Sequence, residues 1–159
     1  MSNKSKNVII SLLKTNTFVV DTLSNILKPY KISLQQFNVL RILRGQKGNP
    51  SNLSTVQEKM INRMSNTTRI IDKLVKKNYV SRSICEENRR KIELLITPKG
   101  LKILGKIDLI FEKEESKLTD KLSPEEHDKI LTLFNKINNS PKKKQYENDK
   151  KNYFFNNSF

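Results

Sequence analysis

The residues with the clearest chemistry lie between positions 62 and 97, and they are hydrogen-bond donors suited to a nucleic acid. Asn66 and Arg69 fall early in a predicted helix, and these side-chain types make the specific contacts to adenine and guanine edges. Arg89 and Arg90 lie at a predicted hairpin tip, where a guanidinium can enter a narrow minor groove. The pattern therefore indicates recognition of a polyanion.

Several neighbours extend this candidate surface. Ser65 and Thr68 flank the two base-reading candidates, and Arg63 is placed to touch the DNA backbone. The alternative is that these side chains contact phosphate alone, which gives affinity without sequence choice, or that the tip arginines are simply solvated. Lys73, Lys76 and Lys77 are interpreted as ordinary solvated helix charges. The predicted DNA-binding residues are Arg63, Ser65, Asn66, Thr68, Arg69, Arg89 and Arg90.

Basic charge is concentrated in this same stretch of the chain. The 159 residues carry a net charge of +15. Residues 61–100 contain ten Lys/Arg against four Asp/Glu, whereas residues 101–140 contain seven against eight. A one-sided bias favours a polyanionic partner. A general coding bias toward lysine is the alternative, and it accounts poorly for a stretch with five arginines.

The elements that must position these residues are a helix and a hairpin. Helical spacing over 62–77, with Asn62 as the expected cap, places an apolar side opposite the polar residues; it comprises Met64, Thr67, Ile71 and Leu74. β-Branched residues predict strands over 80–84 and 92–96. A helix followed by a basic-tipped hairpin is typical of a winged helix-turn-helix.

The residues before this unit predict further helices. A helix over 6–28 ends at Pro29, and a capping-box pattern from Ser33 opens another over 34–44. A loop follows to residue 52. Leu53 is a candidate for a short strand beside the hairpin, and a second capping-box pattern from Ser54 opens a short helix that ends near Met60.

The C-terminal part predicts two more helices and a tail. Thr97 and Pro98 open a helix over 98–120 with an apolar stripe of Leu101, Leu104, Ile107, Phe111 and Leu118. Ser123 opens the next helix, with its apolar residues expected inside: Ile130, Leu133, Phe134 and Ile137. Residues 141–159 are rich in Lys and Asn and predict a disordered basic tail.

The terminal helices carry more apolar surface than the helix–hairpin unit can cover. A long helix with an apolar face must bury it, so we expect a two-fold dimer that interleaves both chain ends; a monomeric bundle is the alternative. The predicted fold class is mainly α with a small β-hairpin wing, a winged helix-turn-helix with N- and C-terminal dimerisation helices. It forms one domain over 1–140, with a DNA-binding lobe at 33–97 and dimerisation helices at 6–28 and 98–139.

Four spaced motif pieces resemble the MarR family of bacterial transcriptional regulators. They are the run from Ser65 to Leu74, then Val80-Ser-Arg82, then Asn88-Arg-Arg90, and last Leu94-Leu-Ile-Thr97 with Gly100. Two positions depart from the family pattern. Asn88 stands where the family has a wing aspartate, and Asn78 stands where it has a glycine, although Asn also tolerates a left-handed helix end.

The resemblance implies a homodimer that binds a pseudo-palindromic operator in double-stranded DNA and usually represses transcription. Each recognition helix would enter a major groove, with half-sites about 10 bp apart. It also implies a possible small-molecule effector, commonly phenolic or anionic, that releases the DNA, although some members respond to cysteine oxidation instead. Two rival hypotheses are a non-specific architectural DNA-binding protein and a winged-helix protein-interaction module.

No catalytic or metal-binding pattern is present in the sequence, so we predict a non-enzyme without a cofactor. His127 has no Cys or His companion at metal-ligand spacing. Cys85 is either an oxidant-sensing thiol activated by nearby arginines or a strand residue of convenient size. No apolar run approaches the roughly 20 residues of a membrane span. With one cysteine and no signal-peptide pattern, a cytoplasmic location is predicted.

Overall fold

The structure of the protein is a computed structural model that describes residues 3–63, 65–85 and 91–139. Over these ranges it contains six α-helices, a 3-10 turn and one antiparallel hairpin, so the predicted fold class is confirmed. The elements are α1 (Asn3–Leu27), the 3-10 turn (Lys28–Tyr30), α2 (Leu34–Arg44), α3 (Leu53–Lys59), α4 (Thr67–Lys76), β1 (Val80–Ile84), β2 (Ile92–Ile96), α5 (Pro98–Thr119) and α6 (Pro124–Asn138).

The chain divides into two compact units between Ser116 and Lys117, inside α5. The first unit holds the winged helix, and its core forms around α2. Phe37 is 2% exposed, and its ring centroid lies 4.4 Å from that of Phe111 on α5. The rest of this core comes from every surrounding element and includes Leu27, Leu40, Leu43, Val56, Ile71, Leu74, Val80, Leu94, Leu104 and Ile107.

Local signals fix the limits of α2 as predicted. Ser33 Oγ accepts the Gln36 backbone N–H at 3.2 Å, and Gln36 Oε1 accepts the Ser33 N–H at 3.1 Å. This capping box satisfies two amides that the first turn of a helix leaves without partners. Pro29 lies within the 3-10 turn before it, and Lys31 closes that turn with a left-handed φ of 54°.

The junction between α4 and the wing is held by backbone and side-chain hydrogen bonds. Asn78 has a φ of 57°, the left-handed end that Asn tolerates. Thr97 Oγ1 donates to the Asn78 carbonyl at 2.7 Å and accepts the Gly100 N–H at 3.0 Å. Both strands have their predicted limits, with Val80 opposite Ile96 and Ile84 opposite Ile92. The hairpin base and the start of α5 are therefore joined through Thr97.

The predicted start of the recognition helix was wrong. Helix α4 begins at Thr67 and its cap is Asn66, not Asn62. Asn66 Oδ1 accepts the Arg69 backbone N–H at 3.0 Å. The Ser65 N–H instead donates to the Asn62 carbonyl at 3.2 Å, so the chain turns at Asn62 before the helix starts. Thr67, Ile71 and Leu74 are buried as predicted; Met64 lies outside the described residues.

The region around Leu53 also differs from the prediction. Asn52 Oδ1 accepts the Thr55 N–H at 2.8 Å, and Leu53 is the first residue of α3 rather than part of a strand. Ser54 is inside that helix and does not open it. The segment that pairs with the hairpin is instead at Ser51, which forms an isolated antiparallel bridge with Leu94 on β2.

Burial of the C-terminal helices departs from the predicted stripes. Leu101 is 43% exposed, whereas its neighbour Gly100 is buried against Tyr79 and Ile96. On α6, Leu133, Phe134 and Ile137 are exposed and Ile130 is half-buried, so their prediction as inside residues is wrong for the single chain. The predicted tail over 141–159 lies outside the described residues.

Candidate nucleic-acid interface

The polar residues at the start of α4 face solvent because the other side of that helix is in the core. Asn66 and Arg69 are exposed, Ser65 is half-buried, and Thr67 is buried. Thr67 Oγ1 lies 3.2 Å from the Ser65 carbonyl and 3.5 Å from Met60 Sδ, which anchors the first turn. The preceding turn is fixed to α2 because the Ile61 N–H donates to Asn38 Oδ1 at 3.1 Å.

Three of the predicted residues line one groove, called here the reading groove. Ser65, Asn66 and Arg69 form one wall of it and the first turn of α2 forms the other. Its volume is about 410 Å³, and its full lining is Ser33, Gln35, Gln36, Ser65, Asn66, Arg69, Ile70 and Lys73. Among the described residues, this lining contains no carboxylate, so the groove is chemically suited to an anion with hydrogen-bonding edges.

The α2 residues of the reading groove were not among the predicted site residues. Ser33 and Gln36 were recognised only as a helix cap, and Gln35 was not singled out. The available signal was the capping box itself, because a helix N-terminus presents amide groups and a positive dipole end that favour phosphate.

The remaining predicted residues are not brought into this groove. Arg63 and Thr68 are exposed nearby but fall outside its lining. Arg89 and Arg90, with Asn88, lie outside the described residues. Their predicted contact with the minor groove stays a prediction.

An ion pair ties the recognition helix to the wing. Arg82 Nη1 on β1 lies 3.0 Å from Asp72 Oδ1 on α4. The two side chains are 38% and 48% exposed, so solvent screens their attraction and its contribution to stability is small.

The other candidate groups form no second centre in the described part of the chain. Cys85 is a half-buried free thiol next to β1, and its backbone N–H donates to the Lys91 carbonyl at 2.9 Å. His127 Nδ1 lies 2.9 Å from the Ser123 carbonyl at the start of α6. Across residues 3–63, 65–85 and 91–139, no three His, Cys, Asp or Glu side chains are grouped to hold a metal ion. No helix in those ranges is long and apolar enough to cross a membrane.

The sequence of the chain is similar to those of known transcriptional regulators. Residues 32–92 match the family model described as the MarR family. The chain is 36% identical over 98 residues to the uncharacterized HTH-type transcriptional regulator YfiV of Bacillus subtilis. That match covers 60% of this chain and 58% of YfiV.

Two solved structures share the fold over most of the chain. BpsR of Bordetella bronchiseptica, studied for regulation of its DNA binding by 6-hydroxynicotinic acid, aligns with a TM-score of 0.77 at 21% identity. That alignment covers 88% of this chain and 99% of BpsR. A mutant MarR from E. coli complexed with operator DNA aligns with a TM-score of 0.75 at 22% identity, and 85% of this chain and 96% of that protein are covered. Residues 32–92 are therefore similar in sequence to the MarR family, and the chain shares its winged helix-turn-helix fold with these two solved structures.

Proposed function

We propose that this protein is a sequence-specific DNA-binding transcriptional regulator, a cytoplasmic homodimer that represses by occupying a pseudo-palindromic operator. The observation that carries the proposal is the reading groove, where the exposed Asn66 and Arg69 stand opposite the N-terminus of α2. Helix α4 enters the major groove, and its Asn and Arg side chains contact base edges. The protein acts by binding and not by catalysis.

We assign DNA binding and dimerisation to different regions of the chain. Residues 33–97 form the DNA-binding lobe, and the helices within 6–28 and 98–139 form the dimer interface. Exposed apolar side chains on α1 and α5, such as Leu13, Phe18 and Leu109 at 62%, 63% and 74% exposure, support the second assignment. A second copy of the chain would cover these surfaces and place two α4 helices on successive half-sites.

We also propose that a small molecule releases the protein from its operator DNA. BpsR is described as regulated in its DNA binding by 6-hydroxynicotinic acid, and this likeness in fold suggests a ligand-released repressor. The class of ligand we propose is a small, phenolic or anionic molecule.

The decisive experiment is selection of binding sites from a random duplex library with the full chain, followed by competition. We expect recovery of a two-fold repeat and preference for it over random duplex. Arg69→Ala is expected to weaken binding to the selected duplex by about 1–3 kcal/mol and to relax its base preference. Lys121→Ala, an exposed change in the turn between α5 and α6, is the matched control. Equal affinity for every sequence would favour a non-specific architectural protein, and no binding even at low salt would favour a protein-interaction module.

A further inference from the structure

Basic surface continues past the reading groove along α4. A second groove of about 560 Å³ lies between the C-terminal half of α4 and the turn that joins α1 to α2. Five of its lining residues are lysines, and it is called here the lysine groove. The full lining is Lys28, Lys31, Ile32, Ser33, Gln36, Lys73, Lys76 and Lys77.

The two grooves are continuous. Ser33, Gln36 and Lys73 line both of them. Arg69, Lys73 and Lys76 follow one another at intervals of four and three residues, the spacing of a single helix face. That face is opposite the buried Ile71 and Leu74. A basic stripe therefore runs from one end of the recognition helix to the other.

The charges of the lysine groove differ in their surroundings from other cations of the first unit. Arg41, Arg44 and Arg82 each lie beside a carboxylate, on Glu115, Asp108 and Asp72 respectively. The described lining of the lysine groove contains no Asp or Glu. Lys28, Lys31, Lys73 and Lys76 are exposed, and a cluster of like charges without internal compensation attracts an external polyanion.

The shape of the groove is maintained by hydrogen bonds. Lys77 Nζ donates to the Lys31 carbonyl, and Lys99 Nζ donates to the Lys77 carbonyl at 3.1 Å. The first hydrogen bond holds the turn before α2 against the end of α4, and the second holds the start of α5 there. Lys77 thus serves to position the groove, while its four exposed lysines present their charges to solvent.

We propose that the lysine groove is a second DNA-contacting surface, which binds phosphates of the duplex beside the half-site that α4 reads. The inference rests on the proposed function and extends it. A helix of ten residues is about 15 Å long, and duplex DNA carries one charge per roughly 1.7 Å of its axis. The far end of the stripe therefore meets phosphates beyond those next to Arg69. Lysine binds them as a point charge without reading base identity.

The test compares two triple variants of the full chain. One removes charge from the groove by Lys28→Gln, Lys31→Asn and Lys76→Gln, where Asn suits the left-handed backbone of residue 31. The control removes the same charge from exposed positions of α5 by Lys102→Gln, Lys106→Gln and Lys113→Gln. Because α5 is a proposed dimerisation helix, sedimentation equilibrium checks that both variants keep the oligomeric state of the natural chain. Thermal unfolding checks that both fold. Binding to the selected duplex is measured against salt, with about 20 bp that end at the half-sites and with about 40 bp that include flanks.

We expect the groove variant to lower the salt slope by about 0.9 for each phosphate that it no longer binds, and to weaken binding to the longer duplex roughly tenfold or more at about 0.15 M salt. The base preference recovered by selection should not change, and the control variant should keep the slope of the natural chain. An unchanged slope, or an equal change in the control, overturns the inference. The inference is also overturned if the natural chain binds inorganic pyrophosphate saturably, the groove variant loses that binding, and the salt slope of DNA binding is the same for both.

Failure of the proposed function is separable from failure of this inference. If the natural chain prefers no sequence, the proposed regulator fails, and the same variants are then measured on a random duplex of about 40 bp, which offers the same phosphates. If the natural chain is selective and the groove variant keeps its slope, only the second DNA-contacting surface is refuted.

Discussion

At the scale of single residues, Gly100 is the glycine, among the four of the chain, at which an added Cβ would approach other atoms most closely. A Cβ there would lie 2.2 Å from the Tyr79 carbonyl oxygen and 2.9 Å from Ile96 Cγ1. We expect Gly100→Ala to reduce the free energy of unfolding by about 1–3 kcal/mol, because the clash is partly with backbone and forces α5 away from the hairpin. Urea unfolding at one fixed protein concentration measures it.

Gly105 provides the matched control on the same helix. A Cβ built there meets nothing within 4 Å, and the residue is exposed. Gly105→Ala should therefore raise stability by roughly 0.5–1 kcal/mol through helix propensity. Similar decreases for the two variants would show that close packing at Gly100 is not what requires glycine.

Residue identity alone did not fix the start of the recognition helix. Asn62 and Asn66 are both competent caps, and the choice depends on where the chain can turn. The Thr67 side chain, 4% exposed, and the Ile61 amide held by Asn38 decide it. The Ile61 amide and Asn38 are 23 residues apart in sequence, so the local pattern could not reveal that contact.

At the scale of elements, the Asp72–Arg82 ion pair links the side chains of α4 and β1. A double-mutant cycle with Asp72→Asn and Arg82→Gln should give a coupling energy of about 0.2–1 kcal/mol in urea unfolding, because both side chains are partly exposed. The coupling should shrink at about 1 M salt, where screening acts within roughly 3 Å.

The Arg41–Glu115 pair is a suitable comparison within the first unit. Its nitrogen and oxygen atoms are 3.9 Å apart, compared with 3.0 Å for Arg82 and Asp72, so its coupling should be the smaller of the two. A larger coupling for Arg41–Glu115 would contradict the assignment of Asp72–Arg82 as the tighter link.

Most elements with strong local signals were predicted accurately, although the capping-box pattern at Ser54 was misleading because Asn52 caps α3. Features that depend on distant partners were not predicted. The capping boxes at Ser33 and Ser123 place the starts of α2 and α6, and β-branched residues place both strands. The bridge from Ser51 to Leu94 could not be located, since a single bridge has no periodicity. The α2 wall of the reading groove was missed for a similar reason, because its position beside α4 is set by the core.

At the scale of the whole molecule, the proposed dimer depends on apolar side chains that the single chain leaves exposed. Leu13 and Phe18 on α1 are 62% and 63% exposed. We expect the double variant Leu13→Glu with Phe18→Glu to be monomeric in sedimentation equilibrium, because four added charges would lie in one symmetric interface. Binding to the selected duplex should weaken, since each half-site would be bound separately.

Ile61→Glu is the control for this variant. Ile61 is 88% exposed and lies in the turn before α4, outside the proposed dimerisation helices. It should leave the oligomeric state of the chain unchanged. A dimer that survives both α1 substitutions would assign the interface to other surfaces.

The cap at Asn66 constrains the operator that the protein can recognise. Bidentate contact with adenine requires the amide to accept from N6 and donate to N7, but the Arg69 N–H already occupies one of the two lone pairs of Asn66 Oδ1 and holds that atom toward the helix backbone. With Nδ2 left as the donor, the side chain can reach N7, which both purines present. Asn66 would then accept either adenine or guanine at the base that it contacts. Aligned operators should show both purines, and neither pyrimidine, at that position.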